Sequence, residues 1–554
     1  MLEVTLLYNK SNQFGTARDV EGIVAAIGST YTVKHSDPLE PPAPTDLAIH
    51  LEIPVYAWMP WATHNVLVVN PEWFCTAWIP YMPRFQFVIY KDPFSAEEAI
   101  AAGHVTREQV RVVPWGAAPW TAKKAPKGTA DTGFVWFLGS SVNKRAYVPT
   151  LLSQWKETYP PLRIYTVEPL DISGGSNVRI EVRDLSTEVR QSLASFFRGH
   201  ICCSKAEGFS YPAAESEWLG AYTIMNDLNC YRADYTGCQG AYILGDLDAA
   251  IAEFEATDFE TLAVRRARAG DRWDAFLERF AAVVAEVPVV ERIPHLPPIL
   301  WGGDCPTISI VTLLYNRRKF FELACHNMIM SDYPKNKIEW IIVEDSDDPM
   351  EDASDRIAEV ANTSAPLRIV YVPLRKKYSV AAKRNLGVEK ATSDIVLMMD
   401  DDDHYPETSF RRRVAWLTLH PWKPKAVAAA TIACYDLVKG ISAVNVPPMD
   451  IPLGQRISEA TLTFYKSWWQ LQKFPVGVQV GEGEGFLSGR ETDVLEVPPQ
   501  QIIVAFSHGK NTSSRRIPSG AEVKPGCFWG FPPEFLTFIH GLAGVTVVNS
   551  THPY

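Results

Sequence analysis

The reading of this chain turns on Ile395-Val-Leu-Met-Met-Asp-Asp-Asp-Asp-His-Tyr-Pro406. The apolar half, Ile395 to Met399, reads as a buried strand, and Pro406 stops any continuation. Between them lie Asp400, Asp401, Asp402 and Asp403. Four adjacent carboxylates repel one another, so ionising them together at a strand end requires a neutralising cation. Hard divalent cations take oxygen ligands, and Mg²⁺ is commonly shared between one or two carboxylates and substrate phosphates. The stretch therefore predicts a metal-diphosphate site, against the solvated acidic loop that most charge runs form.

Outward from this run, short apolar strands alternate with helical stretches. Ile308–Leu314, Trp340–Asp345 and Leu367–Val372 read as strands, and Ser379–Lys390 as a helix. Such alternation predicts a parallel sheet covered by helices. Ligands of parallel α/β sheets bind at the carboxyl ends of strands. Three ends here carry polar groups: Tyr315-Asn316-Arg317, Glu344-Asp345-Ser346 and the acid run. The helix opening at Ser379 brings Lys383 and Arg384, cations suited to phosphate oxygens.

The same alternation fills residues 1–117, with strands at Val4–Tyr8, Tyr31–Lys34, Leu47–Leu51, Asn65–Val69, Gln86–Tyr90 and Val110–Val113. A Lys/Ala/Pro/Gly-rich linker, Ala118–Thr132, leads to a second alternating unit from Gly133, whose last helical stretch runs to about Val287. Prolines at 288, 294, 297, 298 and 306 mark the clearest boundary. The expected domains are 1–120, 130–287, a linker at 288–306, and 307–554.

With 554 residues, 47% hydrophobic and 21% charged, the composition is that of a soluble globular protein with ample core. A net charge of −11 argues against a protein that holds nucleic acid through a broad basic surface. The nine cysteines form no CxxC pair, so reduced cytosolic thiols are expected, with no zinc site or disulfide framework. No apolar run of about 20 residues predicts a membrane span.

Ile308–Arg317, Trp340–Asp348, Ala382-Lys-Arg-Asn-Leu-Gly387 and Leu397–Pro406 together resemble the nucleotide-sugar domain of the family 2-type glycosyltransferases, the GT-A fold. The resemblance covers roughly residues 304–515. It implies that Tyr315, Asn316 and Asp345 surround the nucleobase and ribose, with Arg317, Lys383 and Arg384 also on the donor nucleotide. Its DxD motif falls on Asp400-Asp401-Asp402, with Asp402 as the direct ligand of Mn²⁺ or Mg²⁺; four acids leave the register open by one. His508, in Ala505-Phe-Ser-His-Gly-Lys-Asn511, resembles a late histidine that contacts metal or diphosphate. The family's base belongs to an adjacent Glu-Asp pair. The matching place here is Gly481-Glu-Gly-Glu-Gly485, with Glu484 favoured as base, Glu482 as its rival, and the glycines giving a mobile loop. Arg490 is a further candidate for phosphate.

In the first half, Glu207-Gly-Phe-Ser-Tyr-Pro-Ala-Ala-Glu215 resembles the Glu-x7-Glu motif of the family 4-type, retaining glycosyltransferases of GT-B architecture. The resemblance places Glu215 on a donor ribose, Glu207 near the sugar, and Lys144 and Arg145 at the diphosphate. Asn12–Gly15, His50 and His64 are weaker candidates for that cleft.

The fold expectation is therefore α/β: a GT-B-like pair of Rossmann-like domains, then a GT-A nucleotide-sugar domain. The expected function is metal-dependent, inverting sugar transfer from a nucleotide sugar, with UDP the default, to a glycan or glycoconjugate acceptor in the cytoplasm. The first half is read as a second, retaining transferase or as a non-catalytic acceptor-binding module. The bimodular pattern resembles glycan-building enzymes of bacteria and large DNA viruses. Sugar transfer to modified DNA bases and a catalytically dead scaffold are the rival readings, and the acidic charge and intact acid run weigh against each in turn.

Overall fold

The computed structural model describes residues 2–12, 15–120, 131–258, 262–288, 299–477, 481–499, 501–508, 511, 527 and 529–545. Most of the two expected linkers (121–130 and 289–298) and part of the Asn12–Gly15 loop lie outside the described residues. The chain forms two compact units: residues 1–41, 45–55 and 62–292, and residues 42–44, 56–61 and 293–554. Among the described residues, no helix is long and apolar enough to cross a membrane.

The architecture is α/β, with parallel sheets of Rossmann type. The first unit holds two six-stranded, all-parallel sheets. One runs Thr32–Ser36, Glu3–Leu7, Thr45–Glu52, Ala62–Val69, Phe87–Tyr90, Val110–Val112 across its width. The other runs Val178–Val182, Leu162–Thr166, Asp131–Gly139, Phe197–Ile201, Tyr222–Met225, Ala241–Ile243. Counted along the chain, the second sheet has the 3-2-1-4-5-6 order of a doubly wound dinucleotide-binding sheet. Phe276 and Phe280 of the long helix Ala263–Ala285 pack into the core of the first sheet, beside Ile49, Val68 and Ile89.

The second unit is built on a seven-stranded sheet in the order Arg368–Pro373, Ile338–Glu344, Ile308–Leu314, Ile395–Met398, Thr463–Tyr465, Ala426–Ala428, Val494–Glu496. The first four strands are mutually parallel, and Thr463–Tyr465 runs against both its neighbours. Ile308–Leu314 and Ile338–Glu344 are near-continuous apolar runs because helices cover both faces of a parallel sheet. A small sheet of Ile441–Asn445, Ile432–Asp436 and Val504–Ser507 lies beside it. Leu300 and Cys305, in the stretch read as linker, are buried in the core of this unit.

One local expectation is corrected. The glycine-rich stretch after Gly481 is a short helix, Glu482–Leu487, instead of a mobile loop; Gly481 enters it at φ +84°. The helix Val380–Lys390, capped by Ser379 Oγ on the Ala382 N–H, lies so close to the sheet that a Cβ on Gly387 would collide with Val311 Cγ1. That approach seats Lys383 and Arg384 against the strand ends.

Candidate functional site

Adjacent strands Ile338–Glu344, Ile308–Leu314 and Ile395–Met398 end side by side, which brings together polar groups 345, 315–317 and 400–403. Asp345 is buried; its Oδ1 accepts from Lys383 Nζ at 2.5 Å and its Oδ2 from the Tyr378 N–H at 2.8 Å. Burial lowers the Lys383 pKa, opposed by the Asp345 carboxylate. Asn316 adopts φ +51°, a left-handed conformation that asparagine tolerates better than most residues. Its Oδ1 accepts from the Asp347 and Asp348 N–H groups at 3.1 and 3.2 Å, and its Nδ2 donates to Asp347 Oδ1 at 2.6 Å. Tyr315 Oη donates to Asp347 Oδ2 at 3.0 Å, and the Lys377 ammonium lies 3.9 Å from the centre of its ring. Tyr315 and Asn316 are thus tied together at this strand end through Asp347.

The four acids have different surroundings. Asp403 is fully buried; its Oδ1 accepts from the Phe506 N–H at 3.0 Å, and its carbonyl from Asn327 Nδ2 at 2.7 Å. Asp402 Oδ2 lies 2.7 Å from Arg317 Nη1, 3.2 Å from His508 Nε2 and 3.3 Å from Asn511 Nδ2. His508 is held flat against Phe320, ring centres 4.1 Å apart. Asp401 Oδ1 accepts from the same Arg317 Nη1 at 3.1 Å, while its buried Oδ2 has no hydrogen-bond partner among the described residues. Burial, then the charge of Asp402, pushes the Asp401 carboxyl well above the usual range, with Arg317 opposing. Asp400 is more open, its Oδ1 3.9 Å from Arg384 Nη2.

Arg317 was expected on the nucleotide; here its guanidinium bridges two of the four acids, Asp401 and Asp402. The donor set fits a hard divalent cation by its chemistry. Carboxylate oxygens of Asp400, Asp402 and Asp403 lie within 4.8 Å of one another, and the buried Asp401 Oδ2 beside them has no hydrogen-bond partner among the described residues. His508, expected as a ligand, stands against Asp402.

Three further acids, Glu482, Glu484 and Glu459, differ in their surroundings. Glu482 is buried, and its Oε1 accepts from Arg384 Nε at 3.3 Å. Glu484, two residues on, is exposed and accepts from Gln455 Nε2 at 2.9 Å. Residues i and i+2 of a helix do not share a face: Glu482 contacts Arg384, whereas Glu484, favoured as base in the sequence, bonds Gln455. Glu459, which sequence reasoning missed, joins this corner; burial raises its pKa, opposed by Arg384 and reinforced by Glu482 and Asp400. Arg490, expected near phosphate, is engaged elsewhere. It donates to the carbonyls of Trp468, Gln472 and Phe486 at 2.9, 3.2 and 2.5 Å, and stacks 3.7 Å over the Trp468 ring.

In the first unit, Lys144 Nζ lies 3.7 Å from Glu207 Oε2, and Arg145 pairs with Glu168 at 2.9 Å. Burial raises the Glu207 pKa. Glu215 is buried, and both its oxygens are held by arginines: Arg18 of the helix Gly15–Ile27 and Arg190 of the helix Thr187–Phe196. The two guanidiniums lie 5.8 and 5.7 Å from the Trp120 ring centre. Beside them Asp19 accepts from Lys91 Nζ, Trp115 Nε1 and Tyr211 Oη at 2.9, 2.8 and 2.6 Å. The carboxylate expected on a ribose is thus committed within the protein. His50 is likewise internal, bonded to Asn65 Oδ1 and the Val55 N–H, both at 2.9 Å.

Residues 309–433 match the family model described as glycosyl transferase family 2, which covers the strand ends and the acid run. The strand-end site lies within this match, which places a region of the glycosyl transferase family 2 type in the second unit. No curated protein matches the sequence. Among solved structures, the chain is similar to a mannosyltransferase, PcManGT, from Pyrobaculum calidifontis in complex with GDP-Man and Mn²⁺. That likeness has 18% identity and a TM-score of 0.29, covering 36% of this chain and 56% of that one. Residues 1–349 of S. aureus TarS, in complex with UDP-GlcNAc, match at 16% identity and TM-score 0.28, over 37% of this chain and 60% of that one. Sucrose-phosphate synthase from Thermosynechococcus elongatus matches at 12% identity and TM-score 0.40, over 52% of this chain and 98% of that one. The chain thus spans 56 to 60% of the length of the first two. The assignment of the second unit rests on the family match and the site, and none of these likenesses carries it.

Proposed function

We propose that the second unit transfers a sugar from a nucleotide-sugar donor, UDP-linked by default, to a hydroxyl of a glycan or glycoconjugate acceptor, with inversion at the anomeric carbon. The observation that carries this reading is the meeting of three groups at adjacent strand ends: buried Asp345 with Lys383, the Asp400–Asp403 run, and the acid corner around Arg384. Tyr315, Asn316 and Asp345 would receive nucleobase and ribose, with Lys383 and Arg384 towards the diphosphate.

Asp400 and Asp402 would hold Mn²⁺ or Mg²⁺, with Asp403 as the third carboxylate of the group. Such a cation supplies charge stabilisation to a leaving diphosphate. The residues of the chain do the rest. Arg317 bridges Asp401 and Asp402 and opposes the rise in the Asp401 pKa, and Arg384 presents a second positive charge between Asp400 and Glu482. A carboxylate in the Arg384 corner takes the proton of the attacking hydroxyl as its oxygen bonds to the anomeric carbon. Glu484 is exposed and accepts from Gln455.

For the first unit, the ion pairs of Arg18 and Arg190 with Glu215 favour a non-catalytic, acceptor-binding role over a second, retaining transferase. We place the activity in the cytoplasm, where the nine cysteines, which form no disulfide among the described residues, stay reduced.

Calorimetric titration of the full chain with UDP and with GDP, in Mn²⁺ and again in EDTA, tests the donor site. One nucleotide is expected to bind about tenfold or more tighter with the metal, as a shared carboxylate-phosphate cation requires. Equal affinity in both buffers, or no binding of either nucleotide, would contradict the reading.

A further inference from the structure

We propose that Glu459 is the general base of the transfer reaction, a catalytic residue outside both the acid run and the Glu-Gly-Glu motif; the inference rests on the transferase reading above.

Glu459 opens the turn Glu459–Thr461, which is tied to the acid run through one side chain. The Asp400 N–H donates to Tyr405 Oη at 2.9 Å, and that hydroxyl donates to the Ala460 carbonyl at 3.1 Å. Tyr405 is fully buried, so the spacing between Asp400 and the Glu459 turn is fixed by packing.

The three charges acting on the Glu459 carboxylate are Arg384, Glu482 and Asp400. It therefore stands in the same corner as Glu482 but in a different condition. Glu482 is buried and accepts from Arg384 Nε, and Glu484 is exposed and accepts from Gln455. Glu459 is half-buried, and among the described residues its carboxylate accepts only from its own backbone N–H. A base needs a lone pair that no other side chain already holds, and of the three acids Glu459 meets that condition.

Gly483 supplies the independent observation. A Cβ on this residue would collide with Glu459 Oε1 and lie 2.9 Å from Glu459 Cγ and 3.0 Å from Cδ. The Glu459 carboxylate thus fills the side-chain volume of residue 483, directly after Glu482. An adjacent pair of acids would place its second carboxyl in that volume; this chain delivers it from the 459–461 turn and keeps glycine at 483. The Glu-Gly-Glu spelling and the position of Glu459 account for each other.

In the step assigned to it, the acceptor O–H bond breaks and the proton passes to a Glu459 carboxylate oxygen. The acceptor oxygen bonds to the anomeric carbon, and the bond from that carbon to the diphosphate breaks with its electron pair leaving on phosphate. Glu482, through Arg384, is a positioning residue.

The test uses the full chain in Mn²⁺ with UDP-glucose, UDP-GlcNAc and GDP-mannose as probes, reading donor affinity by calorimetry and nucleotide release by rate. Glu459→Gln is expected to melt like the wild type and to bind donor within about threefold, while release falls by about 10²–10⁴-fold. The double variant E459G/G483D returns a carboxylate to the same volume from the other segment and is expected to recover about tenfold or more of that loss. Wild-type release by E459Q, loss of its donor binding, or no recovery in a folded double variant that binds donor would overturn the role of Glu459. Failure of the wild type itself to bind any donor would contradict the transferase reading instead.

Discussion

Arg317 Nη1 lies 2.7 Å from Asp402 Oδ2 and 3.1 Å from Asp401 Oδ1, so the end of one strand supplies the positive charge that the acids at the end of its neighbour require. The fold itself thus compensates part of the charge of the acid run. A divalent cation would join this arrangement or share the carboxylates with the guanidinium.

Removal of that guanidinium exposes the dependence. Arg317→Gln leaves the buried Asp401 and Asp402 without their shared partner. Loss of one member of a buried ion pair costs about 3–5 kcal/mol, and for a unit of this size each kcal/mol moves the midpoint by about 2–4 °C. In EDTA the variant should melt several degrees below the wild type. Saturating Mn²⁺ should raise its midpoint by more than it raises that of the wild type. Identical Mn²⁺ shifts would separate Arg317 from the cation site.

Asp402 and His508 meet at one oxygen, 3.2 Å apart. Asp402→Asn should leave the melt unchanged within a few degrees and lower metal-dependent nucleotide release by about a hundredfold or more, on the scale of the charge stabilisation a bound cation supplies. His508→Ala, which removes a supporting contact, should weaken Mn²⁺ binding by about 10–100-fold. Direct Mn²⁺ titration distinguishes the two, and unaltered affinity in both would place the cation elsewhere.

Glu215→Ala tests the first unit. It strands the Arg18 and Arg190 guanidiniums, which are each about a quarter exposed, so the loss should fall towards the low end of about 3–5 kcal/mol. Release of nucleotide by the second unit should stay within about twofold of wild type, since the two sites lie in separate units. If the substitution abolished turnover of one donor while sparing another, the retaining-transferase reading of the first unit would return.

Glu72 gives the first unit a pH dependence. Burial raises its pKa from 4.5 to about 7, with Glu207 adding to the rise. A carboxyl raised in the folded state binds its proton more tightly there than when unfolded. Its contribution is fully present below about pH 4.5 and is lost as pH rises through about 7. Glu72→Gln should flatten that decline, stabilising the chain at pH 8 by up to about 3 kcal/mol, as read from urea melts at pH 5 and pH 8. A variant that lost stability at pH 8 would show that the ionised carboxylate has a partner in the fold.

The parallel sheets and the three polar strand ends were legible in the sequence because buried parallel strands leave near-continuous apolar runs. Ile308–Leu314 and Ile338–Glu344 announce themselves, and the residues after them are the strand-end groups. The acid corner was not legible. Glu482 and Glu484 could be ranked only once residues 482–487 were known to be helical, which turns the two side chains to different faces. Glu459 is a single glutamate in a turn and meets the site only through the fold. Its one trace in the sequence is the glycine at 483, whose spacing role looks like loop flexibility until the neighbouring carboxylate is seen. The clamp on Glu215 was equally hidden, because Arg18 lies 197 residues away along the chain.

The most direct test of the central claim is nucleotide release by the full chain from UDP-glucose, UDP-GlcNAc and GDP-mannose, in Mn²⁺ and in EDTA, with Asp402→Asn run beside the wild type. The account predicts that one donor is turned over in Mn²⁺, and that both chelation and the substitution abolish release. Release that persists in EDTA, or in Asp402→Asn with Mn²⁺ present, would contradict it.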